Sequence, residues 1–287
     1  MTFARDTEQT ATTATVTVPR HPTKRAVYDF FQEASCGERL LLPDTTAEGY
    51  RKQAEMRYRW EPQIPPFAEF ESWRGKRVLE IGVGLGADHE QFAKAGAILY
   101  GLDLTPRAIA HTRRRLELIG LRSNLLVGDA EELPYADETF DLVFSWGVIL
   151  NCPDIQRAVA DIHRILKPGA EARVMVYHKW SMVGYMLWTR YALLRFRPWL
   201  PIKYIYCHYL ENYGTQAFSV AEARRLFSQF SQVFIQISLC HGDLLTSGAG
   251  QRHRGPLLTI ARAVWPRWFI RRFLRNHGLF MMIRAVK

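Results

Sequence analysis

The sequence contains no long hydrophobic run. No window approaches the ~18 consecutive apolar residues that a membrane-spanning helix requires. The N-terminal stretch MTFARDTEQTATTATVTVPR also lacks the apolar segment of a secretory signal peptide. Its bias towards threonine and alanine predicts a disordered tail over residues 1–24, and a transit sequence is the alternative that this composition leaves open. We therefore expect a cytoplasmic protein without a membrane span.

Cysteine is scarce, and its spacing is not that of a metal site. The four cysteines, at positions 36, 152, 207 and 240, include no CxxC pair. This pattern is typical of free thiols in a reducing compartment, and it argues against a disulfide framework or a zinc site. We predict no metal site.

Acidic residues are nearly absent from the last third of the chain. Residues 179–287 contain 16 Lys and Arg but only three acids, which gives them a net charge of +13. Residues 1–178 carry 22 basic and 25 acidic residues, a net charge of −3. The basic character therefore belongs to the last third and not to the part that precedes it.

An aromatic and basic segment at 257–276 has three interpretations. It forms a core-packing helix with a basic outer face, or it contacts nucleic acid, or it contacts the substrate or a membrane: an apolar acceptor, an anionic lipid or a diphosphate-bearing substrate. No signature of an RNA-binding module such as an RRM, KH or OB domain is present. Nucleic acid is therefore the interpretation we rank last, and peripheral lipid contact stays open.

The remaining composition is that of a folded α/β protein. With 287 residues, of which 48% are hydrophobic and 23% charged, the chain is long enough for one large domain or two small ones. From Gly75 onward, short apolar runs alternate with helical patterns. This alternation predicts a doubly wound, mostly parallel sheet with right-handed crossovers. The predicted strands are 78–81, 97–102, 124–127, 140–145 and 172–177, followed by an antiparallel pair at 233–239 and 279–286.

The most informative stretch is residues 77–103, which read RVLEIGVGLGADHEQFAKAGAILYGLD. Glycines at 82, 84 and 86 permit a tight turn and a close approach of backbone to ligand. Asp103 ends the second strand, 23 residues after Glu80, which is close to the ~20 residues between a glycine-rich turn and a ribose-binding acid. An acid in the strand and no Lys or Arg between positions 82 and 92 favour a cationic nucleoside over a pyrophosphate.

This stretch resembles motif I and motif II of the class I S-adenosylmethionine (SAM)-dependent methyltransferases. The resemblance covers residues 75–181. It extends to DAEELPYADETFDLVFSWGVI and ILKPGA, which are similar to the ubiquinone and menaquinone C-methyltransferases. The resemblance implies a seven-stranded Rossmann-like domain that binds SAM and releases S-adenosylhomocysteine.

The resemblance also implies which residues bind the cofactor. The glycines would wrap the methionine part, the carboxylate of Asp103 would accept both ribose hydroxyls, and Asp129 would take the adenine amino group. Ser145 and Trp146 would face the sulfonium. The full set of expected cofactor residues is Glu80, Gly82, Gly84, Gly86, Asp88, Asp103, Leu104, Asp129, Ala130, Glu131, Ser145 and Trp146.

A general base is needed only if the acceptor must lose a proton, because positioning already supplies much of the rate in methyl transfer. Many relatives have a His pair after the fourth strand, where this chain has Asn151 and Cys152. A base at that place is therefore in doubt. The catalytic candidates are Tyr177 and His178, at the end of the fifth strand, and the substrate candidates are Tyr58, Asn151, Tyr185, Trp188 and His241.

The expected organisation is a tail over 1–24, an N-terminal helical lid over 25–72, a SAM-binding core over 73–181 and an acceptor-side part over 182–287. The lid would bring Arg57 and Tyr58 to the site and exclude water. Helical insertions at 182–218 and about 257–276 would shape the acceptor pocket.

We predict methylation of a small, bulky and partly apolar metabolite by a monomer or homodimer, with O-, N- and C-methylation left open. The alternatives are an RNA methyltransferase that uses the basic third and a non-catalytic SAM-binding subunit. An NAD-linked dehydrogenase is a weaker rival, because its phosphate-binding turn needs wider glycine spacing.

Overall fold

The computed structural model describes residues 23–211, 214–246 and 262–287. The predicted tail lies almost entirely outside these residues, as do most of residues 241–256, whose four glycines predict a loop, and the first residues of the segment 257–276. Among the described residues, no helix is long and apolar enough to cross a membrane.

A layer of helices precedes the first strand. Thr23 and Thr46 cap the first and third of these helices through their side-chain oxygens. Pro62 lies between the third helix and the fourth, and Pro65 and Pro66 belong to the first turn of the fourth. The layer comprises α1 (Lys24–Glu33), α2 (Glu38–Leu41), α3 (Ala47–Trp60), α4 (Ile64–Ala68) and a 3-10 turn at Phe70–Trp73.

The central sheet has the predicted doubly wound architecture. Its strands are β1 (Arg77–Ile81), β2 (Ile98–Asp103), β3 (Asn124–Val127), β4 (Phe140–Trp146), β5 (Leu166–His178), β6 (Ala217–Phe218), β7 (Gln232–Ser238) and β8 (Phe280–Val286). The order along the sheet is β3-β2-β1-β4-β5-β8-β7, and β8 runs antiparallel to both of its neighbours. The main path thus has the seven expected strands, including the antiparallel pair. The two-residue β6 adds an eighth beside the end of β5.

Helices cover the sheet and complete the chain. They are α5 (Ala87–Ala95), α6 (Pro106–Glu117), α7 (Ile155–Ile165), α8 (Met182–Tyr191), α9 (Ile202–Tyr209), α10 (Val220–Leu226), α11 (His241–Leu244) and α12 (Arg267–Phe273). Gly96 ends α5 and Thr105 caps α6, as the sequence predicts. The predicted helical insertion at 182–218 begins with α8, which ends at Tyr191 and is followed by a 3-10 turn.

The core lies on both faces of the central strands. Most residues of β1, β4 and β8 and all residues of the second half of β5 (172–178) are buried, which is why these stretches are mostly apolar and do not alternate with polar residues. Ile64 and Ala68 of α4 join this core, so the N-terminal layer is packed on the sheet.

One arginine of α6 is buried. A run of arginines is typical of a solvated helix face, but Arg115 is only 1% exposed. Its guanidinium binds Glu90, Gln53 and the carbonyls of Leu85 and Tyr50. These partners are distant in sequence, and together they satisfy the buried charge.

Candidate active site

A cavity opens where β1, β2 and β4 end. Parallel strands place their carboxyl ends at one edge of the sheet, and ligands of open α/β folds bind at this edge. The cavity is lined by the glycine-rich turn after β1, by the residues that follow β2 and β4, and by α1 and α3 of the N-terminal layer.

Two glycines of the turn between β1 and α5 have different surroundings. Gly82 and Gly84 both have positive φ, 82° and 52°. A Cβ on Gly82 would lie 2.1 Å from a methyl carbon of Val148, so only glycine fits there. A Cβ on Gly84 would have no atom within 4 Å, although the residue lines the cavity. The turn therefore packs on protein at Gly82 and leaves space for a ligand at Gly84.

Asp103 ends β2 with its carboxylate held in place. Gly84 N donates to Oδ2 at 3.2 Å, and Thr105 donates to Oδ1 through its N and its Oγ1, both at 2.9 Å. Burial raises the pKa of Asp103, and these hydrogen bonds oppose that rise. A carboxylate has about four lone-pair sites, so Asp103 keeps capacity for a ligand hydroxyl.

Glu80 is held by a buried chain of hydrogen bonds. Oε2 of Glu80 lies 2.8 Å from Nδ1 of His89, and Nε2 of His89 lies 2.8 Å from Oγ of Ser123. Because the Ser123 hydroxyl donates to the carbonyl of Leu99, it accepts the proton of His89 Nε2. Burial lowers the pKa of His89 to about 3 and raises the pKa of Glu80 well above its usual value. The neutral imidazole then accepts at Nδ1, so Glu80 is the donor and is protonated.

Asp88, in the first turn of α5, is bound by two residues of α3. Nη2 of Arg57 lies 2.7 Å from Oδ2, and the hydroxyl of Tyr58 donates to Oδ1 at 2.9 Å. Arg57 also places Nη1 3.3 Å from Oε2 of Glu61. Of the two residues expected from the lid, Arg57 thus lines the cavity, and Tyr58 holds Asp88, which lines it.

At the other end of the cavity, Lys24 of α1 joins two acids that follow β3. Its amino group contacts the carboxylate of Asp129 and lies 2.9 Å from Oε2 of Glu131. Burial alone would lower the pKa of Lys24, but the hydrogen bonds to these two acids outweigh it and raise the pKa. Oε1 of Glu131 accepts from the backbone N of Asp154 at 2.9 Å, which fixes its carboxylate.

The cavity ends on β5 at Tyr177. The hydroxyl of Tyr177 donates to Oε2 of Glu211 at 3.0 Å. Burial raises the pKa of Tyr177 well above its usual value, so its hydroxyl keeps the proton. Oδ1 of Asn151 is buried without a hydrogen-bond partner, and Asn151 lines the cavity. Such an unsatisfied polar atom is expected where a ligand binds.

The charges around the cavity favour a cationic ligand. Two bases line it, Lys24 and Arg57, and both are ion-paired. The acids that line it are Glu61, Asp88, Asp103, Asp129, Glu131 and Glu211, while the protonated Glu80 adds no charge. A sulfonium nucleoside with an ammonium group suits this excess of acids, whereas a pyrophosphate does not.

The structure brings together most of the predicted site residues. The cavity is lined by all the expected cofactor residues except Ser145, and also by Asn151 and Tyr177. Ser145 and His178 are turned away, because neighbouring residues of a strand point to opposite faces and Trp146 and Tyr177 take the cavity side. Nδ1 of His178 lies 3.3 Å from the carbonyl of Gly278, so its expected catalytic position is corrected.

Four of the five substrate candidates do not line this cavity. The hydroxyl of Tyr58 binds Asp88 without lining the cavity, and the ring of His241 packs against Trp60. Tyr185 and Trp188 line a separate surface groove, because α8 runs away from the end of β5. Their polar atoms bind His277 and the carbonyl of Leu200.

Sequence reasoning missed Lys24, Glu61 and Glu211 at the cavity. Glu211 carried a signal, since it is one of only three acids in the basic third of the chain. Among the described residues, no group of three or more His, Cys, Asp or Glu is arranged to hold a metal ion. Burial raises the pKa of Cys152 to about 12, so this thiol is not an activated nucleophile.

Comparisons with known proteins agree with this geometry. A model of the methyltransferase domain matches residues 79–174. A demethylmenaquinone methyltransferase of Tropheryma whipplei (strain Twist) is 34% identical over 125 residues, 42% of this chain and 51% of that protein. A phosphatidylethanolamine N-methyltransferase of Cereibacter sphaeroides is 34% identical over 125 residues, 43% of this chain and 61% of that protein. The chain therefore spans 51–61% of the length of these curated relatives.

A solved structure shows the same fold over most of the chain. Phosphoethanolamine N-methyltransferase 2 of Haemonchus contortus, in complex with phosphomonomethylethanolamine and S-adenosylhomocysteine, superposes with a TM-score of 0.56 at 18% identity. The match covers 88% of this chain and 59% of that chain. The chain thus shares its fold with this methyltransferase, and its central residues 79–174 match the methyltransferase domain.

Proposed function

We propose that this protein binds SAM in the cavity and transfers its methyl group to a small molecule. The observation that carries the proposal is the convergence of the glycine-rich turn, the carboxylate of Asp103 and an acid-rich lining at the carboxyl ends of the strands. SAM would supply a methyl group on a positively charged sulfur. The residues of the chain would bind it, orient it and exclude water.

The cavity has a place for each part of the cofactor. Asp103 would accept the ribose hydroxyls, because its carboxylate keeps unused lone pairs beside the turn. Asp129 and the backbone of Ala130 would hold the adenine, at the end that Lys24 covers. Asp88, fixed by Arg57 and Tyr58, would lie near the methionine part.

The acceptor would enter between Tyr177 and Trp146. Met175 and Trp146 provide apolar walls there, which suits a bulky and partly apolar metabolite. Because Tyr177 is a neutral donor to Glu211, the carboxylate of Glu211 is the group that would take a proton from the acceptor, directly or through the Tyr177 hydroxyl. This pair replaces His178 as our candidate for proton transfer.

The proposed domain limits follow from the role that each part of the chain would have at the cavity. We assign residues 25–72 to a lid over the cofactor, residues 73–181 to the SAM-binding core and residues 182–287 to the acceptor side. Support for the lid comes from α1 and α3, which line the cavity through Val27 and Arg57.

Calorimetric titration with S-adenosylhomocysteine, with NAD as the control ligand, tests cofactor binding in wild type and Asp103→Ala. We expect binding of S-adenosylhomocysteine only, and a loss of at least about tenfold in affinity in the variant. A thermal melt of Asp103→Ala checks that it folds. Equal binding by the folded variant and the wild type would contradict the assignment.

A transfer assay with methyl-labelled SAM addresses the alternatives. Label that enters small-molecule fractions supports the proposal, and label that enters RNA supports an RNA methyltransferase using the basic third. Cofactor binding with no label transferred to any fraction would favour a non-catalytic subunit. If Glu211 takes the proton, Glu211→Gln should lose methyl transfer but still bind S-adenosylhomocysteine. Glu132→Gln, at a more exposed acid, is the matched control and should keep both.

A further inference from the structure

Residues 190–203, here called the tip segment, expose an unusual set of apolar side chains. The segment connects α8 to α9 through a 3-10 turn. Leu194, Phe196 and Trp199 are 67%, 86% and 66% exposed, and Leu193 is about half exposed. Isolated exposed apolar residues are ordinary on a protein surface, but four within seven positions form a patch that requires an explanation.

The tip segment is firmly held by the helices on either side. Ala192 and Leu200 are buried in a small cluster with residues of α8 and α9. Nε1 of Trp188 donates to the carbonyl of Leu200 at 2.9 Å, and the ring of Tyr191 stacks on that of Tyr209 with centroids 4.0 Å apart. The exposed side chains are therefore presented on a fixed support.

Phe196 is the least expected residue of the segment. Its φ is +56°, in the left-handed region that glycine adopts freely and that is unfavourable for a bulky residue. Because its side chain is 86% exposed, packing in the described fold does little to offset this unfavourable backbone. Phenylalanine at this turn thus has no structural advantage over glycine, and its advantage must come from something outside the fold.

The charges around the patch have a single sign. Arg190, Arg195, Arg197 and Lys203 belong to the tip segment, and no Asp or Glu occurs between residues 172 and 210. Arg190 and Arg195 both lie over the ring of Tyr191, which keeps them beside the patch. Apolar side chains surrounded by cations are complementary to a surface that is anionic outside and apolar beneath.

We propose that the tip segment binds the surface of an anionic lipid bilayer. Phe196, Trp199 and Leu194 would enter the interface between headgroups and acyl chains, where aromatic rings are favoured, and the cations would contact lipid phosphates. Pairing with a second copy of the same face is disfavoured, because it would bring like charges together across a two-fold axis. The proposal does not depend on the proposed methyl transfer.

Co-sedimentation with vesicles tests the proposal on the full chain. One set of vesicles is pure phosphatidylcholine, and in the other about a third of the lipid is phosphatidylglycerol. We expect binding to the anionic vesicles, weakened by salt, and little binding to the neutral ones. Phe196→Gly should lower the apparent affinity by about tenfold or more, because it removes the most exposed apolar group.

The same variant separates a membrane role from a structural role. Glycine adopts the φ of position 196 without strain, so we expect the melting temperature of Phe196→Gly to equal or exceed that of the wild type. The matched control is Phe234→Thr, which removes a ring that is 55% exposed on the edge strand β7 and should leave vesicle binding unchanged.

Three results would overturn the proposal. The first is vesicle binding by Phe196→Gly that equals that of the wild type. The second is an equal loss in Phe234→Thr, which would indicate a general surface effect. The third is binding of a single-stranded RNA oligonucleotide that depends on Arg195 and Arg197 while the anionic vesicles do not bind, which would assign the charges to nucleic acid.

Discussion

Nη2 of Arg57 donates a hydrogen bond of 2.7 Å to Oδ2 of Asp88, and this contact joins helix α3 to the first turn of helix α5. The Asp88 side chain is only 3% exposed, so its charge has lost most of its contact with water. A buried carboxylate requires a partner of opposite charge and hydrogen bonds to its oxygens. The N-terminal layer is therefore fastened to the residues that follow the glycine-rich turn.

Removal of Arg57 should destabilise the fold more than removal of an exposed neighbour. Arg57→Met leaves Asp88 buried without its cation, and we expect a loss of about 3–5 kcal/mol in the free energy of unfolding. Adding Asp88→Asn should recover part of this loss, because no unpaired charge then remains. Urea denaturation of the single and double variants measures both effects. Arg59→Met, at an exposed position of the same helix, is the control, and an equal effect there would contradict this role of the pair.

Alanine at Gly82 should impair folding, whereas alanine at Gly84 should impair cofactor binding. At Gly82 the new Cβ would lie 2.1 Å from Val148, so Gly82→Ala should fail to fold or lose several kcal/mol of stability. At Gly84 the Cβ enters open space, so the cost is the left-handed backbone alone, about 1–3 kcal/mol. Gly84→Ala should then remain folded but bind S-adenosylhomocysteine poorly. Thermal melts and calorimetry separate the two, and unimpaired cofactor binding by Gly84→Ala would place the ligand elsewhere.

The sequence predicted the parts of this molecule that depend on local pattern. The central strands were recognised because buried parallel strands are short apolar runs, and Gly96, Thr105 and Pro106 marked helix ends through backbone chemistry. Asp103 was found from its distance to the glycine-rich turn, and Asp129 was found from the resemblance to the methyltransferases. Both lie where strands end, and these ends meet at one edge of a parallel sheet.

The features that the sequence did not predict depend on contacts between residues that are far apart in the chain. Arg115 looks like one of several surface arginines in α6, and only the fold shows that Glu90 and Gln53 surround it. Lys24 lies more than a hundred residues from Asp129. His178 and Tyr177 were equivalent in sequence, and only the register of β5 decides which one faces the cavity.

Lys24 should slow the release of the cofactor. Its ion pairs with Asp129 and Glu131 hold α1 across the end of the cavity where the adenine would bind. In Lys24→Gln these ion pairs are lost, and we expect S-adenosylhomocysteine to dissociate several-fold faster, as measured by stopped-flow displacement. The neighbouring variant Arg25→Gln loses a surface pair with Asp29 and a contact with the ring of Tyr28, neither of which lines the cavity, and should release the ligand at the wild-type rate. Equal rates in all three proteins would show that α1 does not gate the site.

The buried pair of Glu80 and His89 should produce a particular dependence of stability on pH. In the folded protein the pair holds one proton, because His89 stays neutral down to a pKa of about 3 and the pKa of Glu80 is well above 4.5. With ordinary pKa values of 4.5 and 6.5, the unfolded chain holds two protons below pH 4.5, one between these values and none above pH 6.5. Through this pair, stability is therefore constant from pH 4.5 to 6.5, falls with acid below that range and falls with base above it.

Glu80→Gln tests this arrangement, because the amide still donates to Nδ1 of His89 but does not titrate. In the variant only His89 is linked to protons, so stability falls as the pH drops from 6.5 towards 3 and does not fall above 6.5. The stability of the wild type minus that of the variant should then decrease with rising pH from 4.5 upward, by at most about 1.4 kcal/mol per pH unit. Urea denaturation at a series of pH values measures this difference. Glu132→Gln, at an exposed carboxylate, should show a much smaller trend, and a difference that does not change with pH in Glu80→Gln would contradict a shared buried proton.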